Sequence, residues 1–489
     1  MKAIVAWMQP RLFVIGLAVY ALTAWCSEGY HHPDEHFQVL EFAHYKLGRT
    51  PAADLPWEFA AQIRPGLQPM LAYGFIRAAE TLGLSNPFTQ VFLLRLLTGW
   101  LCLWAYFRWA HWLSVTSGDE RLEQWLRWAV VVVWFVPYLS VRFSSENWAG
   151  LVFVVGVLGW VNLRGTLAAF LLALSFFFRF QMAFALLGLG AWMLWRWRAD
   201  RSLRPTLAQA AGMLAGGMAA TALGVWADAW LYGKPVFTAY NYFAANILEN
   251  KAANWGTAPW WFYFAQTLLT AVPPLSVMLL ALLGRGLWRE RGSALAWCFV
   301  PFLLAHIAVG HKEMRFMYPM LLPVLVLAVQ GLRQIAGATR SRTNQVGGPI
   351  RVLCWTAVMI NFALLPVRCL LAAQESVPTF RFLYRYAAER QEPVAVFSQE
   401  KSVYNLVGLE VHFYRSPKVQ TFVVQRFDPD TLRMADTPHR LLFSQKLTLQ
   451  NPLPGLATER VYTYFPDWIL RFNPNDWQSR SRMWSLHRG

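Results

Sequence analysis

Long apolar segments separated by short basic connections are the feature that most constrains the fold of this chain. They recur about eleven times, near residues 11–27, 88–112, 128–142, 147–163, 166–179, 181–195, 208–228, 264–284, 293–310, 316–335 and 352–372. A membrane-spanning helix needs about 20 predominantly apolar residues, and several of these segments reach that length while others are shorter. The sequence therefore predicts a polytopic α-helical membrane protein with about eleven transmembrane helices.

Composition and charge agree with a membrane protein. Hydrophobic residues make up 56% of the chain and charged residues only 15%, with a formal net charge of +17. In a soluble chain that charge would suggest nucleic acid as a partner, but here the cations lie in short connections, such as the four arginines within 196–204 and the three within 285–291. This positive-inside pattern predicts a cytoplasmic N-terminus and no nucleic-acid partner.

The opposite set of connections carries the polar clusters. These clusters lie in the connections 27–66, 144–147, 179–181, 229–263 and 310–313. Structural polar residues scattered at random would not segregate to alternate connections. The pattern therefore predicts one active face, outside the cytoplasm.

The chain changes character after about residue 374. Short β-like runs at 393–397, 411–414, 419–424 and 440–443 follow a predicted helix at 378–391. The sequence predicts a membrane domain over residues 1–373 and a soluble α/β domain over 374–489. An odd number of spans would place this second domain on the same outer face as the connection 27–66.

Two adjacent carboxylates, Asp34 and Glu35, follow the first apolar segment in the run His31-His32-Pro33-Asp34-Glu35-His36. Ionisable groups at a membrane boundary are costly, which favours a chemical role such as taking a proton from a sugar hydroxyl. Neighbouring helix residues diverge by about 100°, so one carboxylate is predicted to be the base and the other to orient it. A divalent cation held by Asp34 with His32 or His36 is the alternative, but no second cluster supplies further ligands, and the five cysteines lack metal-binding spacing.

Cations and amides on the same face suggest how a lipid-linked sugar could bind. Lys312 and Arg315, beside His311, could stabilise a phosphate leaving group, although snorkelling cations would give the same pattern. Arg179 could reach a phosphate or be structural. Tyr240 and two asparagines could contact sugar hydroxyls, in a loop whose aromatic residues could equally anchor it at the membrane surface.

The order of these motifs resembles that of a known family. The motifs are His32-Pro33-Asp34-Glu35, Trp57-Glu58-Phe59 with Ile63-Arg64, Tyr232-Gly233, Asn241-Tyr242-Phe243 with Asn246, Gly256-Thr257 with Pro259-Trp260 and Tyr263-Phe264, and His311-Lys312-Glu313 with Arg315-Phe316 and Pro319. Together they resemble the mannosyltransferases that build GPI anchors and extend dolichol-linked N-glycan precursors, the Alg/GPI-anchor mannosyltransferase family. The resemblance implies a GT-C-like fold, a polyprenyl-phosphate-sugar donor, and inversion at the anomeric carbon.

The sequence and the resemblance together predict an inverting glycosyltransferase that moves a sugar, predicted to be mannose, from a polyprenyl-phosphate donor to a hydroxyl of a glycan or glycolipid on the extracytoplasmic face. No metal or other cofactor is expected. Its catalytic residues are Asp34 and Glu35, within the outer loop 27–66. The predicted phosphate-binding residues are His311, Lys312, Arg315, Arg179 and Arg64, and the predicted sugar- or acceptor-binding residues are His32, Trp57, Glu58, Gln181, Tyr240, Asn241, Asn246 and Glu313. A transporter or flippase of lipid-linked sugars is the alternative from another class.

The sequence also favours a bacterial inner membrane over an endoplasmic-reticulum membrane. It contains no Asn-x-Ser/Thr acceptor site and ends without a retrieval signal, and the part beyond residue 374 carries no motif of the eukaryotic members.

Overall fold

The computed structural model describes residues 11–161, 165–341, 348–447 and 458–489, which form two compact units. The first unit contains the described residues of Met1–Cys26, Trp57–Leu71 and Leu93–Leu370. The second contains Ser27–Pro56, Ala72–Phe92 and the described residues of Leu371–Gly489. The long loop predicted over 27–66 is therefore divided between the two units.

The first unit is built almost entirely of helices. They are Leu12–Cys26, Trp57–Ala60, Glu120–Val132, Phe135–Ser140, Ser145–Val161, Gly165–Phe178, Met182–Ala199, Leu207–Tyr232, Thr238–Phe243, Phe262–Thr270, Leu275–Arg289, Ala294–Ala308, Leu321–Ser341 and Gly348–Leu370, with shorter 3₁₀ or π turns at Arg201–Leu203, Ala244–Leu248, Lys251–Trp255 and Met314–Met320. Two further helices, Leu67–Thr81 and Pro87–Ser117, have residues in both units. The described residues are mostly helical, as the apolar segments predict.

Within the described ranges, four helical segments are long and apolar enough to cross a membrane: Pro87–Ser117, Leu207–Tyr232, Met314–Ala336 and Gly348–Leu370. A fifth span results if Leu275–Arg289 and Ala294–Ala308, bent by 120°, are counted together. Three shorter apolar helices accompany them. The chain is thus a multi-pass membrane protein, whereas the number of eleven spans stays a prediction. The end of the predicted span 147–163, at residues 162 and 163, lies outside the described residues.

Glycines allow helices of the first unit to approach closely. A Cβ atom on Gly286 would lie 1.9 Å from the carbonyl oxygen of Leu327, and one on Gly331 would lie 2.1 Å from that of Leu282. Any side chain at these two positions would therefore push Leu275–Arg289 away from Leu321–Ser341. Such small-residue contacts replace the hydrophobic effect as a source of helix association in lipid.

The second unit contains a five-stranded sheet. Its strands are β1 (Val394–Ser398), β4 (Val419–Val423), β5 (Arg440–Ser444), β6 (Glu459–Thr463) and β7 (Ser485–Arg488), in the order β4-β1-β5-β7-β6, and β2 (Asn405–Leu406) and β3 (Leu409–Glu410) form a separate hairpin. Strand β1 pairs in parallel with β4 and β5, while β7 pairs antiparallel with β5 and β6. All five residues of β1 are buried, as expected for a strand covered on both faces.

Short helices and helical turns complete the second unit. Its helices are Pro33–Glu35, Glu41–Lys46, Ser376–Ala388, Pro429–Leu432, Asp467–Leu470 and Trp477–Arg480, with a π turn at His36–Leu40 and 3₁₀ turns at Ala52–Asp54 and Pro474–Asp476. Phe380, in the helix after residue 375, is fully buried and stacks on Tyr404 with ring centroids 4.8 Å apart. That helix overlaps the one predicted at 378–391.

Three of the four β-like runs predicted after residue 392 contain strands, at 394–398, 419–423 and 440–444. The prediction of a strand at 411–414 is wrong. There the chain turns, with the Arg415 N–H donating to the His412 carbonyl oxygen. The N–H groups of His412 and Phe413 donate to the Glu41 carboxylate and not to a neighbouring strand. The division into domains 1–373 and 374–489 stays a prediction.

Candidate functional site

The part of the predicted outer loop that belongs to the second unit, Ser27–Pro56, is called the acidic loop here. It contains a short helical turn, Pro33–Glu35, that the sequence favours. Pro33 occupies the first turn, where its missing N–H costs nothing, and the His32 side chain caps the turn by accepting from the Asp34 N–H at 3.2 Å. The Asp34 carboxylate lies 3.4 Å from the His32 ring and is 18% exposed. Because Asp34 and Glu35 are consecutive helical residues, their side chains diverge, which is what two different roles require.

His36 closes this turn and is held by its surroundings. Its ring stacks with that of Tyr30, at a centroid distance of 5.8 Å, and with that of Tyr414, at 5.4 Å. Its Nε2 atom lies 2.9 Å from Oε1 of Glu41, and both side chains are 1% exposed. Burial raises the pKa of the neighbouring Tyr30 hydroxyl to about 12, so that this group stays protonated.

Glu41 is a buried carboxylate that the sequence analysis did not identify. Its Oε1 atom accepts from the N–H groups of His412, at 2.8 Å, and Phe413, at 3.0 Å, while Oε2 accepts from the Thr50 hydroxyl at 2.7 Å. Burial alone would raise the pKa of the carboxyl, but the hydrogen bonds and the His36 ring outweigh it and lower the pKa to about 2. The only available signal was its position, six residues after Glu35 in an apolar stretch.

In the first unit, the motif around Trp57 and Arg64 is tied to the end of the helix Leu207–Tyr232. Glu58 pairs with Arg64 at 3.2 Å, and the Tyr232 hydroxyl donates to the Arg64 carbonyl oxygen at 2.9 Å. Asp228 accepts from the Gly66 N–H at 2.7 Å and from Thr238. These contacts place the guanidinium of Arg64 in a partly buried position, 16% exposed.

A buried ion cluster lies at the ends of three helical segments of the first unit. Oε1 of Glu146 lies 3.1 Å from Nη2 of Arg179 and 3.2 Å from Nη1 of Arg315, and all three side chains are at most 8% exposed. Glu313 forms a bidentate ion pair with the same Arg315: Nε donates to Oε2 at 2.6 Å and Nη2 donates to Oε1 at 3.1 Å. The ring of Phe316 is flanked by both guanidinium groups, at 5.4 Å and 5.3 Å.

A close backbone contact accounts for the position of Arg315. Glu146 and Gly150 lie one turn apart on the helix Ser145–Val161. A Cβ atom on Gly150 would lie 2.7 Å from the Cα and carbonyl oxygen of Pro319. The glycine therefore lets the 3₁₀ segment Met314–Met320 pack directly on that helix, which brings Arg315 to Glu146.

His311 and Lys312 extend the cluster. His311 contacts Oε1 of Glu313 through Nε2, at 2.9 Å, and the Gly256 carbonyl oxygen through Nδ1, also at 2.9 Å. The Lys312 ammonium donates to the Ala258 carbonyl oxygen at 2.9 Å. The loop after residue 255 is thereby attached to the His311-Lys312-Glu313 motif, a contact that the motif order alone did not reveal.

The cluster is rich in positive charge. The guanidinium groups of Arg179 and Arg315 both contact Oε1 of Glu146, so that two positive charges lie beside one carboxylate oxygen. These two groups are therefore close enough to repel one another. Guanidinium groups that are partly neutralised by carboxylates can exchange those partners for the oxygens of a phosphate, because both anions fit the same fork of donors.

The predicted sugar-binding residues of the first unit occupy several environments. Gln181 donates to the Tyr242 hydroxyl at 2.6 Å, Asn241 donates to the Gln62 carbonyl oxygen at 3.3 Å, and Asn246 donates to the Tyr242 carbonyl oxygen at 2.9 Å. Tyr240 is 55% exposed and Trp57 is 37% exposed.

The structure thus brings three predicted phosphate-binding residues, Arg179, Arg315 and His311, together with Glu313. It adds Glu146, for which the sequence analysis predicted no role although it lies in the polar connection 144–147. Asp34, His32 and Glu35 share one turn of the second unit. Among the residues that the structure describes, no group of three or more His, Cys, Asp or Glu side chains is arranged to hold a metal ion.

The chain is similar in sequence to proteins of a known family. The model of the Alg9-like mannosyltransferase family matches residues 12–419. GPI mannosyltransferase 3 of Yarrowia lipolytica is 28% identical over 344 residues, which cover 66% of this chain and 62% of the relative. GPI mannosyltransferase 3 of Drosophila melanogaster is 25% identical over 316 residues, covering 63% and 54%, and GPI alpha-1,2-mannosyltransferase 3 of Homo sapiens is 23% identical over 320 residues, covering 63% and 55%. The chain spans less than two thirds of the length of these relatives.

Proposed function

Because this chain belongs to the Alg9-like mannosyltransferase family, we propose that it is an inverting mannosyltransferase that uses a polyprenyl-phosphate-mannose donor. Its acceptor is a hydroxyl group of a glycan or glycolipid. The observation that carries this proposal is the buried pair Arg179 and Arg315, whose two guanidinium groups share one oxygen of Glu146. A phosphate diester is the ligand that such a group suits.

The cationic residues stabilise the leaving group. As the bond between the anomeric carbon and the phosphate oxygen breaks, negative charge grows on the departing polyprenyl phosphate. Arg315 and Arg179 offer forked N–H donors to that charge, and Lys312 adds an ammonium group. His311 and Glu313 orient Arg315, since Glu313 contacts both.

Asp34 acts as the base. Its carboxylate takes the proton of the acceptor hydroxyl while that oxygen attacks the anomeric carbon on the face opposite the phosphate. One bond forms to the acceptor oxygen, one breaks to the phosphate oxygen, and the configuration inverts. Glu35 orients the acceptor or the base, and His32 holds Asp34 in the capped turn.

A β-linked donor would yield an α-mannoside. The human relative is named an alpha-1,2-mannosyltransferase, which supports an α-1,2 linkage for the product here. Gln181, Tyr240, Asn241 and Asn246, together with Trp57 and Glu58, are the groups proposed to contact sugar and acceptor.

The proposal includes a cellular setting. About eleven spans in a GT-C-like arrangement would place the acidic loop, the Lys312 motif and the α/β part after residue 374 outside the cytoplasm. The positive-inside distribution of arginines supports this orientation. A bacterial inner membrane is proposed as the location.

The decisive test is a transfer assay on the purified full chain in lipid nanodiscs. It is incubated with polyprenyl-phosphate-mannose and with glycolipid acceptors that carry terminal α-mannose. We expect a product heavier by one hexose, released by an α-1,2-specific mannosidase. Movement of the donor across proteoliposome membranes without any glycosylated product would contradict the proposal and favour a flippase.

A further inference from the structure

Glu41 is a buried carboxylate of the second unit that contacts four partners. Its two oxygens accept from two backbone N–H groups, at His412 and Phe413, and from the Thr50 hydroxyl, and they contact Nε2 of His36. The side chain is 1% exposed. A carboxylate with this many donors is strongly fixed, because each contact is a charge-assisted hydrogen bond in a site that excludes water.

These contacts join two distant parts of the sequence. Glu41 lies 371 positions before His412 in the chain and 372 before Phe413. A second link runs from the His412 ring to Asp54 at 2.8 Å, and a third places the Tyr414 ring on that of His36. The turn at 412–415 therefore contacts the acidic loop at three points.

His36 transmits this attachment to the carboxylates. It is the residue that follows Glu35, and its backbone N–H donates to the Pro33 carbonyl oxygen, closing the turn that carries Asp34. Because the His36 ring contacts Glu41 through Nε2 and stacks with two tyrosine rings, the turn at 33–36 cannot rotate without breaking those contacts.

We propose that Glu41 is a positioning residue for the base Asp34, and that it acts by attaching the acidic loop to the turn at 412–415. The inference rests on the proposed role of Asp34. It assigns a function to the segment after residue 374: this segment provides the backbone donors that keep the acidic loop in one conformation. The family match, which continues to residue 419, includes this turn.

The chemistry of the contacts dictates the substitutions. The two N–H groups and the Thr50 hydroxyl donate to a carboxylate, which only accepts, whereas the amide of Glu41→Gln must turn its own N–H₂ group toward one of them. Phe413→Pro removes one of the two N–H donors, and Phe413→Ala is its control, because alanine removes the same ring but keeps the N–H. Glu80→Gln is the control for loss of a carboxylate elsewhere in the unit, since Glu80 pairs with Arg49 near the surface.

The experiment uses the full chain in nanodiscs and measures kcat, donor affinity, and hydrogen exchange of peptides covering 31–38. We expect Glu41→Gln to lower kcat by about 100-fold, the loss that a displacement of a catalytic group by about 1 Å causes, while donor Kd changes less than about twofold. Exchange at 33–38 should accelerate. Phe413→Pro should lose about tenfold more kcat than Phe413→Ala, and Glu80→Gln should match the parent protein.

Two results would overturn the inference: kcat of Glu41→Gln within about threefold of the parent, or losses of kcat and donor affinity in equal proportion to a loss of folded protein. If the parent protein transfers no sugar, the proposed function fails, and hydrogen exchange still decides the positioning role. Unchanged exchange at 33–38 in Glu41→Gln would then refute it.

Discussion

Glu146 and Arg315 form a buried ion pair between residues that lie 169 positions apart in the chain, with Oε1 and Nη1 separated by 3.2 Å. The same oxygen contacts Arg179. One carboxylate thus holds two guanidinium groups beside each other and limits their repulsion. This arrangement prepares a cationic site without leaving the charges uncompensated in a low-dielectric environment.

Replacing Glu146 should destabilise the first unit. Glu146→Gln removes the negative charge between Arg179 and Arg315, and removal of one partner from a buried ion pair costs about 3–5 kcal/mol. Thermal unfolding in detergent should therefore begin at a clearly lower temperature. Glu80→Gln, which breaks a partly exposed pair with Arg49, should cost less than about 1 kcal/mol. Equal melting temperatures for the two variants would contradict the structural role of Glu146.

Removing the proposed base should stop turnover and spare donor binding. Asp34→Asn keeps the shape of the side chain and its place in the capped turn but cannot accept the acceptor proton, so kcat should fall by at least about 100-fold while donor Kd stays nearly constant. Glu35→Gln should reduce kcat less if it only orients. Product formation and donor binding are measured on the same sample, and activity of both variants within a few-fold of the parent would refute the assignment.

Neutralising the cations should weaken donor binding. A charge-assisted hydrogen bond is worth about 1.5–3 kcal/mol, so Lys312→Gln or Arg315→Gln should raise donor Kd by about 10- to 100-fold. Arg315→Lys should recover only part of the affinity, because the forked donors are lost. Melting temperatures recorded on the same samples separate this effect from misfolding. If a folded variant with both Lys312 and Arg315 replaced by Gln bound the donor with unchanged affinity, the phosphate site would have to lie at Arg64 and Arg179 instead.

Acidification should weaken the second unit in two separate pH ranges. The pKa of Glu41 is lowered to about 2, below its ordinary 4.5. Its contribution to the free energy of unfolding is therefore complete above pH 4.5 and disappears as the pH falls toward 2. Burial lowers the pKa of His44 from 6.5 to about 4, so the unfolded chain binds that proton more readily and stability decreases between pH 6.5 and 4. His44→Gln should remove the upper dependence, and Glu41→Gln the lower, in melting curves recorded from pH 7 to 3. An unaltered pH profile in either variant would contradict the corresponding contacts.

The orientation of the chain can be tested by thiol labelling. The five native cysteines are free, so a cysteine-free background removes no disulfide. Single cysteines at the exposed positions 52 and 430 should react with an impermeant reagent in intact cells or spheroplasts, whereas one at the exposed position 200 should react only after permeabilisation. Equal labelling at all three positions would contradict the proposed outer face.

The local contacts of the site follow from sequence spacing. His32 caps the turn of Asp34 because Pro33 begins a helix there, and Glu313 reaches His311 and Arg315 because all three lie within five residues. The helices follow equally from composition, since apolar runs in lipid must satisfy their backbone groups internally. Such features depend on neighbours along the chain and can be predicted without a fold.

The partners that lie far apart in sequence were decided by tertiary structure alone. Nothing near Glu146 indicates that it pairs with Arg179 and Arg315, because that contact depends on how a glycine lets Met314–Met320 pack on a helix. The run 411–414 has the composition of a strand, but the N–H groups of His412 and Phe413 donate to Glu41, a carboxylate that sequence reasoning did not identify. A buried charge is stabilised by whichever donors the fold brings to it, and that choice is made by packing across hundreds of residues rather than by local propensity.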